Sequence, residues 1–171
     1  MTDEPIEQGR SWLEHTLGLA GFRASVAITP SPLEGVVDGC WLEIDQHSLS
    51  PQQITHLLDA KGQALDALQY LLNATVNLGR PREEQTAFTL ELAGYRRDRY
   101  QQLQEIAEDV AHQVQETGEE VEIQGLSAAE RRVVHTLIKT HGNVKTFSRG
   151  EEPDRRLVVH LQEEDEPLEE G

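Results

Sequence analysis

Residues 127–142 read SAAERRVVHTLIKTHG. Ser127 and Glu130 have the spacing of a capping box, in which a serine oxygen and a glutamate carboxylate each bind a free amide at the start of a helix. Apolar side chains then recur at helical intervals, and these are Val133, Val134, Leu137 and Ile138. The stretch therefore predicts an amphipathic helix with a capped start and one face in the core.

Strand patterns lie on both sides of this helix. After it, residues 144–147 and 157–161 predict two strands around a polar loop, SRGEEPDRR, at residues 148–156. Before it, Val121 begins a short strand, which follows a longer helix that ends near Gly118. The inward residues of that helix are Leu103, Ile106, Val110 and Val114. The second half of the chain is therefore predicted to fold in the order αβαββ.

The first half of the chain shows a different order of elements. Apolar spacing predicts a helix over 5–17 and strands over 22–28, 40–44 and 88–92. Ser50 and Pro51 begin another helix, since the serine can cap a free amide and proline fits the first turn. A further helix runs from Gln63 to the Gly79–Pro81 stop, which leaves residues 59–62 as a loop between two helices. The predicted order is αββααβ.

The charge is strongly acidic, with 15 Lys and Arg against 31 Asp and Glu and a formal net charge of −16. This balance excludes coating of nucleic acid by bulk positive charge and argues against docking on an anionic membrane. Residues 125–160, the basic segment, reverse the sign with 7 basic and 4 acidic side chains. Any nucleic-acid site must therefore be a local patch, and this segment is the first place where we expect one.

Other classes of protein find little support. Cys40 is the single cysteine, no apolar stretch follows the acidic start, and no run reaches membrane-spanning length, so we expect a cytoplasmic protein that does not bind membranes. Histidines lack metal-ligand spacing and no Walker loop is present. We therefore expect no enzyme activity, no catalytic residues, no metal or other cofactor, and no small-molecule substrate.

Four cationic or ionisable groups are predicted on one polar face of the helix in residues 127–142. They are Arg131, Arg132, His135 and Lys139. The other three lie three or four residues from His135, and all four are expected to point away from the core. Such groups repel one another unless an anion neutralises them, which favours a phosphate-binding site. The alternative is an ordinary solvated helix face.

The loop of residues 148–156 offers further phosphate ligands. The Ser148 hydroxyl and the Gly150 amide are candidate donors to a phosphate oxygen. The loop arginines that would neutralise the phosphate are Arg149, Arg155 and Arg156. Alternatively, these arginines pair with the acidic residues of the same loop, which are Glu151, Glu152 and Asp154.

A second candidate site is the loop of residues 59–62, Asp-Ala-Lys-Gly. A glycine there lets a phosphodiester approach the backbone, and Lys61 adds a positive charge. With its order of elements, this half of the chain resembles the type II KH domain, whose GXXG loop clamps single-stranded RNA. Asp59 replaces the first glycine. The resemblance therefore implies a binding role for Ala60, Lys61 and Gly62, with a degenerate, structural KH domain or an ordinary helix-helix turn as the alternatives.

The Arg-x-x-x-His pattern of Arg131 and His135, followed by TFSRGEEPDRRLVV at 146–159, resembles the single-stranded nucleic-acid-binding domain named for that motif. Preceded by a type II KH domain and by GYRRDR at 94–99, it resembles the bacterial Jag family, also called SpoIIIJ-associated or KhpB RNA-binding proteins. The resemblance covers about residues 5–161. It implies single-stranded RNA binding, with Arg131 and His135 in contact with the nucleic acid.

These observations predict an α+β protein of three parts. A type II KH-like domain occupies 1–94, an Arg-x-x-x-His domain occupies 95–161, and an acidic disordered tail occupies 162–171. The predicted function is a non-catalytic post-transcriptional regulator or RNA chaperone. Besides single-stranded RNA, the candidate partners are another KH protein or a second copy of the chain. The alternative is a protein-interaction adaptor whose degenerate KH domain docks a basic partner.

Overall fold

A computed structural model describes residues 3–33, 35–36 and 39–162. The chain divides into two compact units, Met1–Arg99 (unit 1) and Tyr100–Gly171 (unit 2). The sequence pattern places the boundary five residues earlier, after Gly94. Residues 163–171 of the predicted acidic tail lie outside the described residues.

Unit 1 contains a mixed three-stranded sheet and two long helices. Its elements are α1 (Asp3–Leu19), β1 (Val26–Thr29), β2 (Cys40–Ile44), α2 (Pro51–Val76) and β3 (Phe88–Leu92), with short 3-10 turns at Gln46–Ser48 and Arg82–Glu84. The strands lie in the order β1-β2-β3, with β1 antiparallel and β3 parallel to β2. Non-helical backbone at residues 59–62 divides α2 into two parts, which agrees with the predicted order αββααβ.

The predicted serine cap of α2 is confirmed. The Ser50 hydroxyl accepts a hydrogen bond from the Gln53 amide, and the Gln53 side chain accepts one from the Ser50 amide. Helix and sheet then bury one apolar cluster that includes Leu13, Leu42 and Leu65, each fully buried. Cys40, the single cysteine, is also buried in this cluster.

Amide side chains of α2 bind the free edge of β3. They are spaced four residues apart and are Gln69, Asn73 and Asn77. Asn73 donates to the Phe88 carbonyl oxygen at 2.9 Å and accepts from the Phe88 amide at 2.9 Å. Asn77 makes the same pair with Thr86, and Gln69 accepts from the Leu90 amide. Because helical and strand spacings match here, side chains replace a missing neighbouring strand.

Unit 2 contains an antiparallel sheet and one short helix, preceded by a longer helix that begins in unit 1. Its elements are α3 (Tyr95–Thr117), β4 (Val121–Ile123), α4 (Ala128–Ile138), β5 (Val144–Arg149) and β6 (Arg156–Leu161), with a 3-10 turn at Lys139–His141. The strand order is β4-β6-β5. The predicted order αβαββ is confirmed, as is the Ser127–Glu130 capping box. The strands extend further into the loop than predicted, which leaves residues 150–155 between them.

Residues of β5 alternate between two faces of this sheet. Thr146 and Ser148 lie on the inner face, together with Val159 and Leu157, which pair with them in register and are buried. Phe147 and its neighbours two residues away lie on the opposite, outer face. In register with them on that face are Arg156, Val158 and His160 of β6.

No helix in the described part of the chain is long and apolar enough to cross a membrane.

The amide pairing of Asn73 supports a test of how unit 1 is stabilised. Asn73→Leu removes the side-chain partners of the Phe88 amide and carbonyl, and we expect the free energy of unfolding to fall by about 2–4 kcal/mol. Gln63→Leu, at an exposed position of α2, is the matched control and should change it by less than about 0.5 kcal/mol. Urea denaturation measures both. Equal effects of the two variants would show that the amide pairing does not stabilise the edge.

Candidate nucleic-acid interface

Arg131 lies at the start of α4 and is buried, with 6% of its surface exposed. Its Nη1 donates to the Leu126 carbonyl oxygen at 2.7 Å and to the Arg155 carbonyl oxygen at 3.4 Å. Its Nη2 forms an ion pair with Glu152. The prediction that the Arg131 charge points away from the core is therefore wrong. One turn into the helix, this position faces the chain that enters α4 and the loop of residues 150–155.

The contacts of Arg131 join two segments that are distant in sequence. Leu126 precedes α4, whereas Glu152 and Arg155 belong to the loop between β5 and β6. Backbone carbonyls need donors when they are withdrawn from water, and a guanidinium supplies several in one plane. Arg131 therefore holds the loop against the start of the helix. The Glu152 carboxylate neutralises its charge.

His135 lies one helical turn beyond Arg131 and is partly buried. Its Nδ1 contacts the Thr146 hydroxyl on the inner face of β5. Burial, followed by the nearby charge of Lys139, lowers the pKa of His135 from its ordinary value. The imidazole is therefore predominantly neutral at pH 7, with its orientation set by Thr146. This contact joins α4 to β5, and the contacts of Arg131 join α4 to the loop of residues 150–155 that follows β5.

Three cations around these anchored residues remain exposed. They are Arg132, Lys139 and Arg155, and within the described residues none of them has an ion-pair partner. Arg132 and Lys139 lie on either side of His135 along the helix, as predicted. Arg155 projects from the loop whose backbone Arg131 binds. The helix and the loop thus present exposed positive charge beside a neutral imidazole.

The other arginines of the basic segment are occupied by acidic residues. Arg149 contacts Glu120 at 2.9 Å and Glu122 at 2.7 Å, and Arg156 contacts Glu122 at 2.8 Å. These hydrogen bonds lower the pKa of both carboxyl groups and raise the pKa of Arg149. The predicted alternative, in which the loop arginines pair with acids of the same loop, is wrong for Arg149 and Arg156. Their partners flank and belong to β4.

The predicted loop ligands do not form one cluster. Ser148 is exposed on the inner-face side of β5, with Thr146 and His135 on the same side of the sheet. Arg156 lies on the outer face and binds Glu122. Gly150 is exposed at the start of the loop with a φ of +85°, a conformation that favours glycine. The sheet thus separates Arg156 from Ser148, because neighbouring strand positions face opposite ways.

Phe147 is an exposed aromatic residue that the pattern of charges did not identify. It is 43% exposed on the outer face. The His160 ring packs edge-on at 5.5 Å between centroids, and the Arg149 guanidinium lies 5.2 Å from the Phe147 centroid. Strand alternation in KTFSR, residues 145–149, could have identified this residue, since it places Phe147 on the sheet face opposite to Thr146 and Ser148.

The loop of residues 59–62 in unit 1 has a strained backbone. Ala60 and Lys61 have φ values of +49° and +61°, in the left-handed region, and Gly62 follows at +76°. Each non-glycine residue in this region costs about 1–2 kcal/mol. The Asp59 carboxylate accepts a hydrogen bond from the Ala60 amide at 2.8 Å. The amide that a phosphate would approach is therefore already bound by a carboxylate.

Tyr95 supports this loop from the start of α3. Its hydroxyl donates to the Lys61 carbonyl oxygen at 2.6 Å. A Cβ added to Gly62 would lie 2.8 Å from the Tyr95 ring. The Tyr95 ring thus fills the space that a Cβ at Gly62 would occupy, whereas the Lys61 side chain is exposed. Arg96 pairs with Asp66 of α2.

The described residues contain no group of three or more His, Cys, Asp or Glu side chains arranged to hold a metal ion. His112, on α3, contacts Glu116 and is largely exposed. The chemistry available in unit 2 is therefore that of exposed cations, a neutral imidazole, hydroxyl groups and one exposed aromatic ring. These are groups that bind phosphates and bases.

Several known proteins are similar to this chain in sequence. Residues 101–161 match the family model of the R-3-H domain, which is named for its Arg-x-x-x-His motif. A protein of Clostridium symbiosum named RNA-binding protein KhpB is 32% identical over 108 residues, which cover 63% of this chain and 48% of that protein. The protein of the same name from Bacillus subtilis is 23% identical over 158 residues, 91% of this chain and 70% of its own length. A third, from Lactiplantibacillus plantarum, is 30% identical over 105 residues, 61% of this chain and 32% of its own length. The chain thus spans about half of the Clostridium relative and about a third of the Lactiplantibacillus relative.

The buried position of Arg131 predicts a structural cost for its removal. Arg131→Met leaves the Leu126 and Arg155 carbonyls without their donor, and we expect the free energy of unfolding to fall by about 2–4 kcal/mol. Arg132→Met, its exposed neighbour, should change it by less than about 0.5 kcal/mol. Chemical denaturation followed by circular dichroism measures both. If the two variants are equally stable, the contacts of Arg131 do not support the fold.

The lowered pKa of His135 predicts a pH dependence of stability. Because the folded pKa lies below the ordinary value of 6.5, the unfolded chain binds more protons in the interval between the two values. The free energy of unfolding should therefore fall as the pH is lowered through this interval, and the contribution should be constant above it. His135→Gln should remove this part of the dependence, and the control His112→Gln should keep it. A pH-independent difference between parent and His135→Gln would contradict the assignment, as would an NMR titration midpoint for His135 at or above 6.5.

Proposed function

Since the chain belongs to the Jag (KhpB) family, we propose that it binds single-stranded RNA through unit 2 and acts without catalysis, as a post-transcriptional regulator or RNA chaperone. The names of the bacterial relatives and the match of residues 101–161 to the Arg-x-x-x-His domain family support this proposal. The proposal places the protein in the cytoplasm, where its single, buried cysteine fits a reducing environment.

The observation that carries the proposal is the position of the unpaired cations. In a chain of net charge −16, exposed cations without an acidic partner are attractive to phosphate only where they are close together. Arg132 and Lys139 meet this condition, since both lie within one helical turn of His135. Arg155 extends the same charge into the loop. We assign the phosphates of the RNA to these three side chains.

The two residues of the Arg-x-x-x-His motif receive different roles. Arg131 is a positioning residue, because its donors are bound to backbone carbonyls and to Glu152. His135 is proposed to contact the RNA directly with the edge of its ring that faces away from Thr146. As a neutral imidazole it forms a hydrogen bond without adding charge. Ser148 and the Gly150 amide remain proposed ligands of the same strand, on the exposed end of the β5–β6 hairpin.

A second function is favoured for unit 1 by the state of its loop. The Ala60 amide is bound by Asp59 and the space at Gly62 is filled by Tyr95. We therefore propose that this loop is a structural element and that unit 1 contributes to docking a protein partner, such as another KH protein or a second copy of the chain. Lys61 is then an exposed cation near the loop rather than part of a phosphate clamp.

Neutralising the cations beside His135 tests the proposed RNA site. Arg132→Gln combined with Lys139→Gln should weaken binding of a fluorescein-labelled oligouridylate by about 10-fold to 100-fold, since each charged interaction contributes on the order of 1 kcal/mol. The slope of log affinity against log salt concentration should decrease by about 0.7 for each phosphate that is no longer neutralised. Fluorescence anisotropy over a range of salt concentrations measures both quantities.

The matched control places the same change of charge in unit 1. Arg23→Gln combined with Arg82→Gln neutralises two exposed arginines that have no ion-pair partner within the described residues. This variant should keep the affinity and the salt slope of the parent. Equal losses in the two double variants would show that RNA responds to net charge rather than to the site on α4.

A further inference from the structure

Phe147 is a large aromatic side chain in the middle of an edge strand, with 43% of its surface exposed on the outer face of the unit 2 sheet. Strand alternation sets this orientation, because the side chains of Thr146 and Ser148 lie on the inner face and that of Phe147 must lie on the other. The apolar ring therefore remains in contact with water. Its register partner on the same face is Val158, which is fully buried.

The neighbours of Phe147 make the outer face aromatic rather than cationic. His160 lies beside it with the two rings inclined at 69°. The Arg149 guanidinium stacks near the ring, but it is bound at the same time by Glu120 and Glu122. Arg156, on the same face, is bound by Glu122. Two carboxylates thus offset the two guanidinium groups nearest the ring, and Lys145, two residues before Phe147, is the further cation on this face.

We infer that Phe147, beside His160, is a stacking site for a nucleobase of single-stranded RNA. This inference rests on the proposed function and adds a second contact to it. The neutralised arginines disfavour a phosphate on this face, whereas a flat, uncharged base stacks on an aromatic ring in any sequence. The phosphates are assigned to Arg132, Lys139 and Arg155, which leaves the bases free to contact another surface.

The position of β5 makes both contacts compatible with one strand of RNA. This strand lies at the edge of the sheet, so its inner and outer faces are separated only by its own backbone. Thr146, which contacts His135, and Phe147 are consecutive residues. An RNA strand that passes the edge of β5 therefore meets the imidazole on one side and the aromatic ring on the other.

Two ligands that differ only in their bases test the inference. The probes are a fluorescein-labelled oligouridylate and an abasic ribose-phosphate oligomer of equal length. Phe147→Ala should weaken binding of the oligouridylate by about 5-fold to 100-fold, the range measured for removal of one base-stacking residue. Its affinity for the abasic oligomer and its salt slope should equal those of the parent, because every phosphate-binding side chain is kept.

Further variants separate stacking from packing. Phe147→Leu keeps an apolar side chain and should bind the oligouridylate as weakly as Phe147→Ala, whereas Phe147→Trp should bind it at least as well as the parent. Tyr70→Ala removes the exposed tyrosine of α2 in unit 1, which is 72% exposed, and should have no effect.

The outcomes distinguish this inference from the proposed function. If the parent binds RNA and Phe147→Ala binds it equally well, the stacking site is wrong and the proposed function stands; a Phe147 that serves only a protein partner would give this result. Equal losses for both probes would also overturn it, since they would show a change in the fold rather than in base contact. A parent that binds neither probe would overturn the proposed function together with the inference.

Discussion

The contacts of the Arg131 guanidinium with two backbone carbonyls and one carboxylate determine how unit 2 presents its surface. They fix the loop of residues 150–155 against the first turn of α4. Because carbonyl oxygens withdrawn from water need donors, the loop and the helix start depend on this one side chain. The backbone of Arg155, whose side chain is exposed, is held beside α4 as a consequence. The motif arginine thus acts on the proposed RNA-binding surface through the backbone it supports.

Electrostatics in this molecule is a matter of local pairing rather than of total charge. The basic segment has an excess of cations, but Arg131, Arg149 and Arg156 are each bound by a glutamate. The exposed cations without a glutamate partner include Arg132 and Lys139 on either side of His135. The charge of Lys139 contributes to the lowered pKa of the imidazole. The two faces of the hairpin therefore differ in chemistry. One presents unpaired cations and a neutral histidine, and the other presents an aromatic ring among paired charges.

In unit 1 the loop of residues 59–62 is bound by protein atoms at its own backbone. Ala60 and Lys61 adopt left-handed backbone conformations that glycine would adopt without strain. Contacts from within the unit compensate for this strain, since Asp59 binds the Ala60 amide and Tyr95 binds the Lys61 carbonyl. The Ala60 amide and the Lys61 carbonyl are thus bound by protein atoms, whereas the Lys61 side chain is exposed. The amide side chains that bind β3 similarly satisfy an exposed sheet edge from within the chain.

Local sequence patterns were sufficient for most of the fold. Apolar spacing and caps predicted the element order of both units, the start of α2 at Ser50 and the capping box at Ser127, because these features depend on neighbours within a few residues. The family resemblance located the motif of Arg131 and His135, and the similarity to known proteins agrees with it.

Which side chains are available to a ligand was decided by the tertiary structure. Helical spacing placed Arg131 with Arg132, His135 and Lys139, but the buried position of Arg131 depends on carbonyls at Leu126 and Arg155, the second of them 24 residues away. The pairing of Arg149 and Arg156 with Glu122 likewise requires β4 to lie beside β6. Sequence spacing records which face of an element a residue occupies. It does not record which distant backbone or carboxylate the folded chain brings to that face, and that partner determines whether a cation is structural or free to bind.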